Sequence, residues 1–209
     1  MAPMKRLLVL ALLAGGCGGS GYVSFTDDSD GAVPTADGGA RDLAGLLGFD
    51  LRRGDAATPR PDLAADGWPP DWGALEDAVL VETNRVRAQG ANCGGVNYRP
   101  APPLVDHPAL RKSARLHSKD MADNNYFNHN SLDGRTPFTR MRAAGFQGGT
   151  MGENIAAGSP TAAATVQQWV KSPGHCMNMM NPSYRYLGAG YAFRQASQYR
   201  HYWTQNFGG

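Results

Sequence analysis

Residues 186–207 read YLGAGYAFRQASQYRHYWTQNF, and this stretch decides the class of fold. Two aromatic-rich runs, 186–193 and 199–207, flank the polar segment 194–198. Short runs rich in aromatic residues on either side of a polar segment are typical of two strands joined by a turn. We therefore predict an antiparallel hairpin in this part of the chain.

Four segments upstream of the hairpin carry apolar residues at helical spacing. The predicted helices cover residues 72–89, 108–124, 137–145 and 160–171. Pro108 suits the first turn of a helix, where the missing amide hydrogen is not needed. Helices followed by a hairpin predict an α+β domain over residues 71–209, with the helices packed on a small antiparallel sheet.

The first 17 residues have the organisation of an export signal. Lys5 and Arg6 precede the apolar run 7–14, and two glycines then lead to Cys17. The apolar run is shorter than the ~20 residues that span a bilayer, so we predict a removable signal peptide. The segment also resembles a bacterial lipoprotein processing box, which implies a lipidated Cys17 and a membrane anchor. An ordinary secretory signal is the alternative.

Residues 18–70 differ from residues 71–209 in composition and in the sign of their charge. The first segment is rich in Gly, Ala, Asp and Pro, and its nine Asp and four Arg give a net charge of −5. It buries too little apolar surface to offset its chain entropy, which predicts a disordered tether, with a short helix near 43–51 as the alternative. The second segment has 14 Lys or Arg and nine Asp or Glu, a net charge of +5. These basic residues are dispersed, which argues against nucleic-acid binding.

Four segments of the predicted domain carry more specific motifs. They are LHSKDMA (116–122) with FNH (127–129), GENIA (152–156), WVKSPGH (169–175) with Asn178, and HYWTQNFG (201–208). In order and spacing they resemble the CAP (SCP-like) superfamily of cysteine-rich secretory proteins, antigen 5 and pathogenesis-related proteins. The resemblance covers essentially all of residues 71–209 and implies a three-layer α-β-α sandwich with a central cleft.

The same resemblance implies that two histidines and two acidic residues form the floor of the cleft. Carried over by position, these residues are His129, His175 and Glu153, with Asp133 as the second acid. Animal and plant members have a glutamate as the second acid, so the shorter Asp133 is a departure from the family pattern. His117 shares a helical face with apolar residues and is instead predicted to be a core histidine.

Imidazole and carboxylate groups that converge in a cleft support two kinds of chemistry. They can bind zinc or another divalent cation, which can activate water for hydrolysis. Without a metal, Glu153 beside a histidine can serve as a general acid/base pair. Ser131 and Ser172 are the hydroxyls nearest in sequence to the cleft histidines, but neither lies in a nucleophile-elbow sequence. A structural role for His175 and Glu153 is the alternative.

Cys93 and Cys176 remain once Cys17 is assigned to lipid. An even pair of cysteines in an exported protein is predicted to form a disulfide. The family resemblance supports this pairing, since it includes bacterial members with one cysteine after the first helix and another directly after the cleft histidine. The alternative is that Cys176 joins the cleft residues as a zinc ligand, but a helical residue next to a ligand points away from it.

These observations leave three functions open for an exported, envelope-located protein. The first is a non-enzymatic binding module whose cleft takes a lipid, a glycan, a peptide or a divalent cation. The second is a metal-assisted hydrolase of envelope or extracellular substrates that uses the two histidines and two acids of the cleft. The third, adhesion through the outer surface, gives the cleft no role. In each case we expect a monomer held to a membrane through Cys17.

Overall fold

The computed structural model describes residues 67–209 and divides them into five helices and two sheets. The helices are α1 Pro70–Gln89, α2 Pro108–Asn124, α3 Pro137–Ala143, α4 Ala162–Lys171 and α5 Pro173–Met180. The strands are β1 Ala91–Cys93, β2 Val96–Tyr98, β3 Val105–Asp106, β4 Met151–Ala157, β5 Tyr186–Phe193 and β6 His201–Gly208. The predicted signal peptide, Cys17 and the predicted tether as far as residue 66 lie outside the described residues. Within 67–209, no helix combines the length and the apolar character needed to cross a bilayer.

The main sheet has the strand order β3-β5-β6-β4. β5 and β6 form the predicted hairpin, with Tyr186 opposite Gly208 and Phe193 opposite His201, so this prediction is confirmed. β4 pairs antiparallel with β6, whereas the two-residue β3 pairs parallel with β5. The predicted small antiparallel sheet is therefore present in β4, β6 and β5, and the two-residue β3 adds a parallel strand at its edge. β1 and β2 form a separate antiparallel pair.

Helices cover both faces of the main sheet. α2 lies on one face, close enough that a Cβ added to Gly190 of β5 would lie 2.2 Å from the Ala114 carbonyl carbon. On the other face, α1 and α4 pack on the sheet in an apolar cluster that includes Val79, Val166 and Trp203. This arrangement confirms the predicted α-β-α class, in which each element buries its apolar side against the next layer.

The close approach of α2 to β5 makes Gly190 sensitive to any side chain. We expect Gly190→Ala to lower the free energy of unfolding by about 2–3 kcal/mol, because the new methyl group meets helix backbone that cannot rotate away. Urea unfolding measures the effect. The control is Gly149→Ala, where an added Cβ has no heavy atom within 4 Å. Equal stability of the two variants would contradict the expected packing.

β4 lies at the edge of the sheet, and three of its backbone carbonyl groups accept hydrogen bonds from side chains. Tyr184 Oη donates to Met151 O at 3.3 Å, Asn178 Nδ2 to Glu153 O at 3.3 Å, and Trp169 Nε1 to Ile155 O at 2.9 Å. These bonds occupy alternate carbonyls along the edge and hinder pairing with another chain. They also fix the backbone of the strand on both sides of Glu153.

The four predicted helices are present, with bounds that differ by at most two residues from those of α1 to α4. α5 is absent from the sequence prediction because Pro173 interrupts the apolar pattern. In the structure, Pro173 lies in the first turn of α5, where a proline is tolerated, and so begins a new helix. β4 is also absent from the prediction, because GENIA is a motif without the alternation of an exposed strand.

Trp68, which the sequence assigns to the tether, packs on the domain. Its Nε1 donates to Glu76 Oε1 at 3.0 Å, and its ring centroid lies 5.1 Å from the guanidinium carbon of Arg115. Arg115 Nε in turn donates to Glu76 Oε2 at 2.7 Å, and both charged residues are buried. A buried ion pair thus joins α1 to α2 where the described chain begins.

Candidate functional site

Glu153 of β4 is the centre of a buried polar cluster, with a side chain that is 2 % exposed. Its Oε1 accepts a hydrogen bond from His129 Nδ1 at 2.9 Å and lies 4.0 Å from His117 Nε2. Its Oε2 accepts from Arg140 Nη2 at 2.7 Å, and also from the Asn206 side-chain nitrogen at 3.0 Å when that amide is oriented so that both of its ends are satisfied. One carboxylate is therefore surrounded by groups from α2, α3, β6 and the loop between α2 and α3.

Strand register explains why Glu153 faces this cluster. Side chains alternate along a strand, so Glu153 and Ile155 lie on the same face of β4. Ile155 packs with Met121 of α2, which identifies that face as the one covered by α2. Asn206 is the register partner of Glu153 in β6, and directly paired residues place their side chains next to each other.

The surroundings of Glu153 favour its ionised form. Burial raises the pKa of this carboxyl group, but the His117 ring, the hydrogen bond from His129 and the Arg140 guanidinium lower it by more. The net pKa therefore lies below its ordinary value. Since Arg140 is also almost fully buried, the two residues form a buried pair of opposite charges.

His117 is fully buried, so the prediction of a core histidine is confirmed, although its Nδ1 has no hydrogen-bond partner among the described residues and the ring is not fully satisfied. Its Nε2 lies 3.0 Å from the Asn128 carbonyl oxygen, which can only accept, so Nε2 carries the proton. Burial is the main reason that the pKa of His117 falls to about 4. The apolar face of α2 predicts that His117 is buried, but it does not predict that Glu153 lies beside it.

We expect the domain to lose stability as the pH falls from about 6.5 towards 4. Unfolded His117 takes up a proton near its ordinary pKa of 6.5, whereas the folded residue stays neutral down to about 4. The unfolded chain binds more protons in this window, so the stabilisation is complete above pH 6.5 and is lost on acidification. The loss from His117 is about 3 kcal/mol.

Urea unfolding at a series of pH values checks this dependence. His117→Gln cannot titrate and is expected to make the profile between pH 6.5 and 4 shallower, and the slope that remains belongs to His175, whose pKa is also lowered to about 4. His107→Gln is the matched control, because His107 caps α2 away from the cluster. A His117→Gln profile as steep as that of the wild type would contradict the assignment.

His129 is the exposed end of the cluster, with a side chain that is 17 % exposed. Its Nδ1 faces Glu153, so Nε2 lies on the opposite side of the ring. His175 lies in the first turn of α5, and its carbonyl oxygen accepts from Asn154, the neighbour of Glu153. Burial, followed by the electrostatic effect of the neighbouring His129 ring, lowers the pKa of His175 to about 4. The structure thus brings these three predicted site residues into one area.

Asp133 lies apart from these three residues. Its side chain is 55 % exposed, and its carboxylate accepts from Arg135 Nε at 2.6 Å and from the Arg135 backbone amide at 3.1 Å. These bonds, the backbone one first, lower the pKa of Asp133. The structure therefore does not bring Asp133 to the cluster as its second acid. Arg140 and Asn206, which the sequence did not single out, stand beside Glu153 instead.

The two serines near the histidines are not placed as nucleophiles. Ser131 is buried, and its hydroxyl oxygen accepts from Arg140 Nη1 at 3.2 Å. Ser172 is the residue before α5 and makes no side-chain capping bond. The positions of these two serines therefore do not support a role for either hydroxyl as a catalytic nucleophile.

Cys93 of β1 and Cys176 of α5 form a disulfide, with their Cα atoms 5.4 Å apart. Both residues are buried. The predicted pairing is confirmed, and the alternative of Cys176 as a zinc ligand is excluded. Since Cys176 directly follows His175, the bond ties the start of α5 to the β1–β2 hairpin.

The donor set of the cluster does not match a zinc site. Both oxygens of Glu153 and the Nδ1 of His129 already bond to protein groups, whereas a zinc site takes three or four free protein ligands. In the described part of the chain, no group of three or more His, Cys, Asp or Glu side chains is arranged to hold a metal ion. The zinc or divalent-cation site stays a prediction that this geometry does not support.

The model of the cysteine-rich secretory protein (CAP) family matches residues 80–207. The chain belongs to the CAP family. This match confirms the resemblance inferred from the four motifs and agrees with the α-β-α architecture.

Two curated relatives come from Bacillus subtilis (strain 168). The uncharacterized protein YkwD is 41% identical over 105 residues, which cover 50% of this chain and 39% of YkwD. The uncharacterized membrane protein YlbC is 36% identical over 155 residues, which cover 74% of this chain and 40% of YlbC. The chain thus spans about two fifths of the length of these relatives.

Solved structures show a similar fold. An extracellular protein containing a SCP domain from Bacillus anthracis str. Ames superposes with a TM-score of 0.55 and 30% identity, over 67% of this chain and 43% of that one. An outer surface protein from Borrelia burgdorferi superposes with a TM-score of 0.51 over 66% of this chain and 92% of that one. At 18% identity, the second likeness concerns the fold alone.

Proposed function

We propose that this chain is an exported CAP-family protein whose cleft at His129, Glu153 and His175 binds a ligand of the cell envelope. The arrangement of His129 carries the proposal, because a buried carboxylate holds Nδ1 while the ring remains partly exposed. A histidine held in this way presents its other nitrogen in a fixed direction. Similarity to an extracellular SCP-domain protein supports export.

The polarity of the site favours a glycan or a peptide over the other ligand classes. Two imidazoles are its chemical groups, and His175 is neutral at pH 7 because its pKa is about 4. An imidazole forms directed hydrogen bonds, which hydroxyl and amide groups satisfy and lipid tails do not. A divalent cation is disfavoured because Glu153 is already bonded on both oxygens.

Binding of the full chain to soluble cell-wall fragments tests this function. We expect His129→Gln to weaken binding about tenfold, the equivalent of one lost hydrogen bond. His201→Gln is the matched control, because this imidazole bonds Tyr191 at the other end of β6. Equal binding by the wild type and His129→Gln would refute the proposal. Selective binding of zinc chloride or of phospholipid vesicles in the same assay would refute the choice of glycan or peptide.

The contact between His129 and Glu153 also supports hydrolysis as a second function. A carboxylate that accepts from Nδ1 orients the imidazole and strengthens it as a general base towards water. Cleavage of wall fragments that is lost in both His129→Gln and Glu153→Gln, but kept in His201→Gln, would establish the hydrolase and replace the binding module.

A lipid anchor at Cys17 is the proposed route to the membrane. The apolar run 7–14 followed by two glycines and Cys17 supports it. Cys17→Ser is expected to move the protein from the membrane fraction to the soluble fraction. An unchanged distribution after cell fractionation would rule out this anchor while leaving the cleft proposal intact.

A further inference from the structure

Arg140 of α3 uses one guanidinium group to hold four groups of the site. Its Nη2 donates to Glu153 Oε2 at 2.7 Å. Its Nη1 donates to the His129 carbonyl oxygen at 2.8 Å, to the Arg135 carbonyl oxygen at 3.1 Å and to Ser131 Oγ at 3.2 Å. One end of the guanidinium therefore holds the carboxylate, and the other end holds the loop that carries His129.

These bonds reach His129 from two directions. Its ring donates through Nδ1 to Glu153, while its backbone carbonyl accepts from Arg140. The backbone of His129 is thus bonded directly to the Arg140 guanidinium, and its ring is linked to the same guanidinium through Glu153. A planar guanidinium has two terminal nitrogens and can bond Glu153 and the His129 carbonyl oxygen at the same time. The compact ammonium group of a lysine cannot reach both acceptors.

We propose that Arg140 is a positioning residue that keeps the Nδ1 proton of His129 directed at Glu153, so that in the neutral form of the ring Nε2 is a hydrogen-bond acceptor that faces the ligand. This inference deepens the proposed function and rests on it for the ligand. A bare Nε2 accepts but does not donate, so the ligand must offer a hydroxyl or an N–H group at this point. Sugar hydroxyls and peptide amides meet this requirement, and carboxylate or phosphate oxygens do not.

Nitrogen-15 NMR of the histidine rings in the full chain, without ligand and above the pH at which the ring titrates, measures this tautomer. In the wild type we expect one protonated signal from Nδ1 of His129 and one bare-nitrogen signal from Nε2. In Arg140→Lys and in Arg140→Gln, the two signals are expected to move towards each other as the proton exchanges between the nitrogens. Arg142→Lys is the matched control on the same helix, because Arg142 bonds only the Phe146 carbonyl oxygen in this region.

The ring signals of His107 and His201, which lie outside the cluster, report whether each variant is folded. Unchanged His129 signals in either folded Arg140 variant would overturn the inference. A wild-type His129 protonated on Nε2 would also overturn it, without the need for any variant. If the Arg140 variants shift the tautomer but the wild type does not bind wall fragments, the proposed function fails and the role of Arg140 stands.

Discussion

Replacing Cys93 and Cys176 together by alanine is expected to lower the free energy of unfolding by about 4–5 kcal/mol. The disulfide joins residues 83 positions apart, and this loop contains α2, α3, α4 and the strand β4. Without the bond, the unfolded chain gains the entropy of a long open loop while the folded domain gains little freedom. This loss is a large fraction of the roughly 5–15 kcal/mol by which a typical domain is stable.

Urea unfolding of the full chain under non-reducing conditions measures this loss. Cys17→Ala is the matched control, since it removes a cysteine and leaves the disulfide intact. The double variant is also expected to weaken ligand binding at the proposed site, because Cys176 directly follows His175 and ties the start of α5 to β1. A loss below about 1 kcal/mol would show that packing alone holds α5 in place.

Glu153→Gln is expected to lower the free energy of unfolding by about 3–5 kcal/mol, because it leaves the buried Arg140 without its counter-ion. The contact is short, 2.7 Å between Glu153 Oε2 and Arg140 Nη2, and both side chains are almost fully buried. Arg140→Met is expected to cost a similar amount, since it leaves the carboxylate unpaired. The two changes together are expected to cost less than their sum.

A double-mutant cycle of these three variants, followed by urea unfolding, isolates the coupling between the two charges. The comparison pair is Glu82 with Arg85 on α1, where the arginine side chain is 50% exposed and Glu82→Gln is expected to cost about 0–1 kcal/mol. Strict additivity of Glu153→Gln and Arg140→Met would contradict a buried pair. The same variants also test whether the carboxylate is held by the protein rather than kept free for a metal.

Periodicity along the chain was enough to predict the helices that became α1 to α4 and the hairpin of β5 and β6. These elements follow from local preferences, because the side of a helix or strand that is apolar can be read from neighbouring residues. β3 and α5 could not be predicted in this way. β3 has only two residues, and α5 begins at Pro173, which also looks like the end of the preceding helix.

The family motifs predicted His129, Glu153 and His175, and the structure brings these residues together. They also suggested Asp133, which the structure pairs with Arg135 in an exposed turn. A motif indicates which residue types occur at which spacing, but the direction of a loop side chain depends on the partner that captures it. Here an arginine two residues further along is close enough to do so.

From the amino-acid sequence alone, local pattern predicted the class of fold and an even pair of cysteines predicted the disulfide, whereas the resemblance of four motifs to the CAP superfamily indicated the family and the three site residues. Only the tertiary structure decided what surrounds Glu153. His117, Arg140 and Asn206 come from α2, α3 and β6, and they meet through the register of β4 with β6 and the packing of α2 on the sheet. Such contacts depend on how distant elements pack, and periodicity within one element carries no information about the residue that faces it from another.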